Sequence, residues 1–223
     1  MLMQQYSFAT LITQSELGTE ATHLPMIVVK KSDEFYLKAH IAKANPLWKS
    51  VANGSGVLVI FNGPNCYISP NNYPTKKETG KAVPTWNYVV VHVNGVISFI
   101  HDSEWIYNAI ETLTTIHESG QPAPWSISDA PYEYIQKMLP AIVGIEIEVS
   151  SITGQWKLSQ NQPEVNQRGV AETLSASTDS RLGEIASMIK ENFDKLSLQA
   201  VNQRQKVYLC SYLANFRQKY FAS

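Results

Sequence analysis

The stretch from Val57 to Ile100 constrains the fold of this chain more than any other. It opens on five consecutive apolar residues, Val57-Leu58-Val59-Ile60-Phe61, is interrupted by Asn62-Gly63-Pro64-Asn65, and resumes at Cys66-Tyr67-Ile68-Ser69. A polar loop from Pro70 to Val83 then leads to a longer alternating run, Trp86-Asn87-Tyr88-Val89-Val90-Val91-His92-Val93. A short apolar run rich in β-branched residues and bounded by turn formers predicts a strand buried on both faces, and alternation with period two predicts a longer strand with two unlike faces. Asn94-Gly95 would suit a two-residue hairpin, but Val96-Ile97-Ser98-Phe99-Ile100 keeps the apolar character, which favours a bulge within one long bent strand. Long, bent, doubly buried strands predict a barrel.

The rest of the chain can be arranged around that centre. Residues 6–14 read as a strand, Gly18-Thr19-Glu20 as a turn, and Ala21 to Lys30 as a second strand whose Pro25 marks an edge or irregular position. Lys31 to Glu34 is a second turn and Phe35 to Ala42 a third strand. Asn45-Pro46 starts a short helix, with Asn45 capping it and Pro46 at the first position; Leu47, Trp48 and Val51 form its apolar side. Asp102 caps an amphipathic helix with Ile106, Ala109, Ile110, Leu113 and Ile116 at helical spacing. A short helix from Tyr132 is stopped by Pro140, and Ile145-Glu146-Ile147-Glu148-Val149 alternates as a strand expected to close the sheet at an edge. Ile152 to Leu158 extends or follows it, and Pro163 to Thr178 reads as loop or loose helix. The sum is about six strands with flanking helices, a mostly β barrel domain over residues 1–180, and a C-terminal helical extension over 181–223.

Composition narrows the functional classes. Hydrophobic residues make up 44% of the 223 and charged residues 17%, enough for a real core. The net charge of −1 argues against a surface that coats nucleic acid, although residues 181–223 carry a balance of +4 against −5 elsewhere. The two cysteines, Cys66 and Cys210, are far apart and show no CxxC spacing, which predicts a reducing compartment without a disulfide framework or zinc site. The five histidines show no metal-ligand spacing. The absence of an eighteen-residue apolar run and of a basic-then-apolar leader predicts a cytoplasmic protein with no membrane partner.

No dinucleotide fingerprint, phosphate loop, zinc-protease motif or nucleophile elbow occurs. The informative pieces are Thr22-His23-Leu24-Pro25; His40-Ile41-Ala42-Lys43-Ala44-Asn45-Pro46; Val83-Pro84-Thr85-Trp86-Asn87-Tyr88; and Lys157-Leu158-Ser159-Gln160-Asn161. Phe61-Asn62-Gly63-Pro64, Tyr67-Ile68-Ser69-Pro70 and Val143-Gly144-Ile145 accompany them. In this order and spacing, over roughly residues 1–180, they resemble the PaiB family of FMN-binding split-barrel proteins. The resemblance implies a six-stranded split β-barrel, a homodimer, and FMN held at the dimer interface. Relatives in that family are named as negative transcriptional regulators in sporulating bacteria, and the tail beyond residue 180 departs from the family pattern.

FMN needs cations and N–H donors for a dianionic phosphate, apolar or aromatic surface for its ring, and polar groups for its pyrimidine edge. Lys43, after a strand and beside the helix that begins near Asn45, is placed for the phosphate, and His40 for a second hydrogen bond. Spacing alone reads these as an exposed lysine and a core histidine; the resemblance reverses the preference. It likewise turns Thr22, His23, Leu24 and Pro25, otherwise an ordinary edge strand, into a candidate ring-edge contact. Trp86 and Tyr88 share a strand face that suits a flavin ring, a core or a dimer interface equally. Asn87, on the opposite apolar face, demands hydrogen-bond partners. Lys157, Ser159, Gln160 and Asn161 read as a polar turn, or through the resemblance as a cofactor segment donated across the dimer. Cys66 is expected to be an inert core thiol, and no residue announces itself as a nucleophile or catalytic base.

Three functional readings follow. The first is an FMN-binding homodimer with a regulatory role. The alternative is a flavin-dependent oxidoreductase acting on a small substrate at the same site. The third is a DNA partner engaged by Arg204, Lys206, Arg217 and Lys219. Against the third, the tail's aromatic stripe needs burial and no helix-turn-helix pattern is clear.

Overall fold

The structure is a computed structural model that describes residues 2–200, with side chains as far as residue 193. The expectations for Cys210, for the tail's basic residues Arg204 to Lys219 and for its aromatic stripe (Tyr208 to Tyr220) lie outside the described residues. By internal contacts the described residues divide into two units, those up to 67 with 86–157, and 68–85 with those from 158 onward.

The first unit is built on seven strands: β1 (Phe8–Ser15), β2 (Gly18–Pro25), β3 (Ile27–Lys31), β4 (Glu34–Ala42), β5 (Gly56–Ile68), β6 (Thr85–Ile100) and β7 (Ile142–Lys157). They form one sheet in the order β2-β1-β5-β6-β7-β4-β3. This corrects the expected split β-barrel of about six strands: the sheet has seven strands and does not close into a barrel, β2 and β3 being its two edges with no ladder between them. The run Ala21 to Lys30, expected as one strand, is two. Pro25 has no N–H to offer a ladder, and the backbone leaves the sheet there. Met26 alone links one edge strand to the other, and its N–H donates to the carbonyl of Ser7 at 2.9 Å. The sheet therefore rolls until those corners meet, leaving an open seam.

A second correction concerns β7. The Ile145–Val149 segment is not an edge but lies in the first half of a sixteen-residue strand between β6 and β4. Of its outward glutamates, Glu146 is paired instead of repelling a partner, since Lys31 Nζ lies 2.9 Å from its Oε2. The irregularity expected at Asn94-Gly95 is present. Asn94 pairs with Ser151 and Gly95 with Val149, so the extra residue, Ser150, belongs to β7 and not to β6. A side chain at Gly95 would run into the carbonyl oxygen of Glu148 and come within 2.6 Å of Ile147 Cγ2.

The inner face carries the core: Leu11, Val59, Phe61, Val93, Ile97, Val143, Ile145 and Ile147 are wholly buried. The β5 run was expected to be buried on both faces, yet its outward residues Leu58 and Ile60 are only half-buried. Helices α1 (Leu2–Gln5) and α2 (Leu47–Ser50) are short; α4 (Ser103–Glu118) lies against β4 and β7. Asp102 caps α4 as expected, Oδ1 accepting the Trp105 N–H at 2.7 Å, and Ile106, Ala109 and Leu113 form its buried stripe. Helix α5 (Tyr132–Met138) ends in the turn containing Pro140.

The second unit holds α3 (Lys76–Thr79), α6 (Glu164–Ser175) and α7 (Ser180–Ala200). The segment expected as loop or loose helix is α6, a regular helix that buries Val170, Ala171 and Leu174, while α7 buries Ile185, Ala186 and Ile189. The Asn166 amide oxygen accepts from both the N–H and the hydroxyl of Thr75, which ties the 68–85 segment to α6. No helix among the described residues is long and apolar enough to cross a membrane.

Candidate functional site

The candidate residues fall into two groups on the rolled sheet. The first lies beside the seam. Ile27 pairs with Lys38, so the stretch of β4 beyond Lys38, which includes His40, runs toward the β2 side of the Met26 corner, and β2 approaches β4 there. This brings the Pro25 end of β2 toward the His40 end of β4. Thr22 is half-buried, His23 exposed, Leu24 buried and Pro25 half-buried. The His23 imidazole stacks on the exposed Phe8 ring, with centroids 6.4 Å apart. His40 points to the outer face opposite Gly144, and burial pushes its imidazole below the usual histidine range. Trp105 packs over Gly144, where a Cβ would collide with its ring.

Lys43 is exposed on the turn after β4, and Asn45 caps α2 by accepting the Leu47 N–H on Oδ1 at 3.0 Å. One donor at the start of α2 is thus satisfied within the protein. The helix is a single turn, so the phosphate-binding potential rests on the lysine and not on the helix end.

The second group sits where β5 finishes and β6 begins. Trp86 and Tyr67 are each about half exposed and meet edge to face at 6.1 Å. Tyr88 pairs with Lys157 across the β6–β7 ladder, and the Lys157 ammonium stands 6.0 Å from the tyrosine ring centroid. Together they offer an exposed aromatic surface with a cation beside it. Asn87 is fully buried among Val89 and Val91, on the opposite face from Trp86 and Tyr88, and its amide is engaged. It cannot line the same surface as those two rings.

The Ser159, Gln160 and Asn161 segment belongs to the second unit. Ser159 is buried with φ 63° and hydrogen-bonds the Tyr73 hydroxyl, while Gln160 Oε1 accepts the Leu158 N–H at 2.6 Å. Two of these three polar side chains are therefore used in shaping a turn; Asn161 is exposed. Cys66 is buried, and burial pushes its thiol up to about 11, as an inert core cysteine requires. Among the described residues no cluster of three or more metal-ligating side chains occurs.

The two groups are far apart along the strands. His40 pairs with Gly144 near one end of β7 and Tyr88 with Lys157 at the other, thirteen residues away. At strand rise this is on the order of 40 Å of backbone. Between them the outer face carries half-buried Ile12, Leu58, Ile60 and Val90 and exposed Val96. A cleft of about 470 Å³ opens beside the Ser150 bulge, lined by Gln14, Thr19, Asn94 and Val96 among others. Sequence reasoning missed Tyr67 and Phe8 as exposed aromatics; the strand pattern places both, but only the sheet order shows what they adjoin.

Residues 1–151 match the family described as "Putative FMN-binding domain", and the chain belongs to that family. It is 31% identical over 193 residues to the Protease synthase and sporulation protein PAI 2 of Bacillus subtilis, covering 86% of this chain and 90% of that protein. An uncharacterised protein of Aspergillus fumigatus is 31% identical over 191 residues, covering 71% of this chain and 73% of its own length. Among solved structures, the FAD and heme binding protein of Mycobacterium smegmatis shares the fold, with a TM-score of 0.53 at 14% identity over 77% of this chain and 74% of that one.

Proposed function

We propose that this chain is an FMN-dependent oxidoreductase that acts as a homodimer, each flavin site being completed by the second copy. The observation that carries the reading is the separation of the two candidate groups at opposite ends of β7, with a partly exposed sheet face between them on which Ile12, Leu58, Ile60, Val90 and Val96 mix with polar residues such as Glu148 and Asn94. An exposed lysine with a half-buried histidine suits a phosphate, and an exposed Trp–Tyr surface with a flanking cation suits an isoalloxazine, so the residues present fit FMN. One chain presents these halves apart; a two-fold axis through the outer face would bring the aromatic end of one copy to the lysine end of the other.

Bound FMN would supply the electron and hydride transfer. The protein's own contribution is to fix the phosphate through Lys43 and His40, to hold the ring on Trp86 and Tyr88, and to leave one ring face open to a small substrate. Among the candidates, Lys157 is the cation best placed to favour negative charge on the flavin ring. A regulatory role of the PaiB kind is the second reading, favoured by the relationship to the sporulation protein of Bacillus subtilis.

The test is an absorbance spectrum of purified protein after incubation with FMN and removal of unbound flavin, followed by anaerobic addition of NAD(P)H. Retained flavin bands that bleach and recover in air support the oxidoreductase. Retained flavin that never bleaches, together with salt-dependent DNA binding, would transfer the reading to the regulator.

A further inference from the structure

Resting on the flavin reading and deepening it, we propose that Trp48 and Lys49 belong to the phosphate subsite, Trp48 as the residue that positions Lys43 and Lys49 as a second cation. Lys43 is held at both of its backbone groups. Its N–H donates to the Ala141 carbonyl at 2.8 Å, and its carbonyl accepts the Trp48 Nε1–H at 2.9 Å. Two residues on, the Asn45 N–H donates to the Ala42 carbonyl at 2.9 Å while its side chain caps α2. Both peptide groups of Lys43 are thus fixed, and only its side chain is left exposed to a ligand.

The same indole gathers two further side chains. The Lys49 ammonium lies 5.1 Å from the Trp48 ring centroid, and the His101 imidazole meets the ring edge-on at 5.3 Å. The neighbouring Asp102 carboxylate is committed to the start of α4, where it accepts the Trp105 N–H. A phosphate dianion is better matched by two ammonium groups than by one, and a fixed backbone lowers the ordering cost of the lysine that meets it. Packing of a short helix explains why Trp48 is half-buried. It does not require that its N–H close on the Lys43 carbonyl or that a lysine lie over its ring.

The experiment compares FMN with riboflavin, which lacks the phosphate, on the full chain and on Trp48→Phe and Lys49→Ala. Each variant is expected to lose about tenfold or more in FMN affinity, the scale of one charge-assisted hydrogen bond, with riboflavin affinity unchanged. Unchanged riboflavin binding also reports an intact fold, and the exposed Lys49 keeps the test valid if Trp48→Phe folds poorly. FMN affinity unchanged in Lys49→Ala and in folded Trp48→Phe, or FMN and riboflavin falling together, overturns the proposal. Wild-type protein that binds both flavins equally also overturns it, since no phosphate contact then exists. Wild-type protein that binds neither removes the flavin reading itself, and this inference with it.

Discussion

Lys43 and Cys66 show how differently two residues of similar sequence prominence behave once placed. Lys43 stands exposed on a turn where its own N–H and carbonyl are both bonded, so removing its side chain should cost little stability. Lys43→Ala is expected to weaken FMN binding by roughly 1.5–3 kcal/mol, the worth of a hydrogen bond to a charged group, while thermal unfolding stays unchanged. Equal FMN affinity in wild type and variant would place the phosphate elsewhere. Cys66 is the opposite case: burial raises its thiol from 9.0 to about 11. A raised value means that the folded state holds the proton more tightly than the unfolded chain does. The stability linked to this group is therefore complete below pH 9 and is lost as pH rises toward 11. Denaturation midpoints of wild type and Cys66→Ala should converge or cross over that window, and iodoacetamide should label Cys66 only after unfolding. Rapid labelling of the native protein at neutral pH would contradict the burial.

At the scale of elements, the alternation of Trp86 to Val93 was legible because a strand's period of two puts Asn87, Val89 and Val91 on the inner face and Trp86, Tyr88 and Val90 on the outer. The bulge was legible as a position, since Asn94-Gly95 interrupts an apolar run. Its ownership was not, because register depends on the partner strand and Ser150 has nothing unusual in its own sequence. The same reason hid the central place of β7: alternating isoleucine and glutamate looks like an edge until Lys31 is seen to pair with Glu146. Gly95→Ala should test the bulge, because a methyl group there meets the Glu148 carbonyl and the Ile147 side chain. A loss of about 1–3 kcal/mol in denaturant unfolding is expected, the usual cost of forcing extra volume into a packed site. A neutral substitution would show that the β6–β7 crossing is looser than its geometry.

For the whole molecule, the long strands led to a barrel, and the sheet does roll; Pro25 decides that it stays open. A proline in a run of strand-forming residues signals an irregularity, but whether the two sides remain one strand or become opposite edges is set by pairing far away in sequence. The candidate site was legible as residue types and only partly as a place. The motifs named Lys43 and Trp86 together, whereas the register sets them at opposite ends of β7. That separation makes a second copy necessary to the flavin reading, and it can be tested by complementation. The Lys43→Ala and Trp86→Ala proteins, each expected to be poor in FMN, would be unfolded, mixed and refolded together, and the retained flavin measured. If each site takes its lysine from one copy and its aromatic face from the other, half of the molecules in the mixture are mixed dimers with one intact site, so about one site in four recovers wild-type affinity. Recovery at that level is the predicted result. A mixture no better than its two parents would show that each chain builds its site alone, and would contradict the shared site.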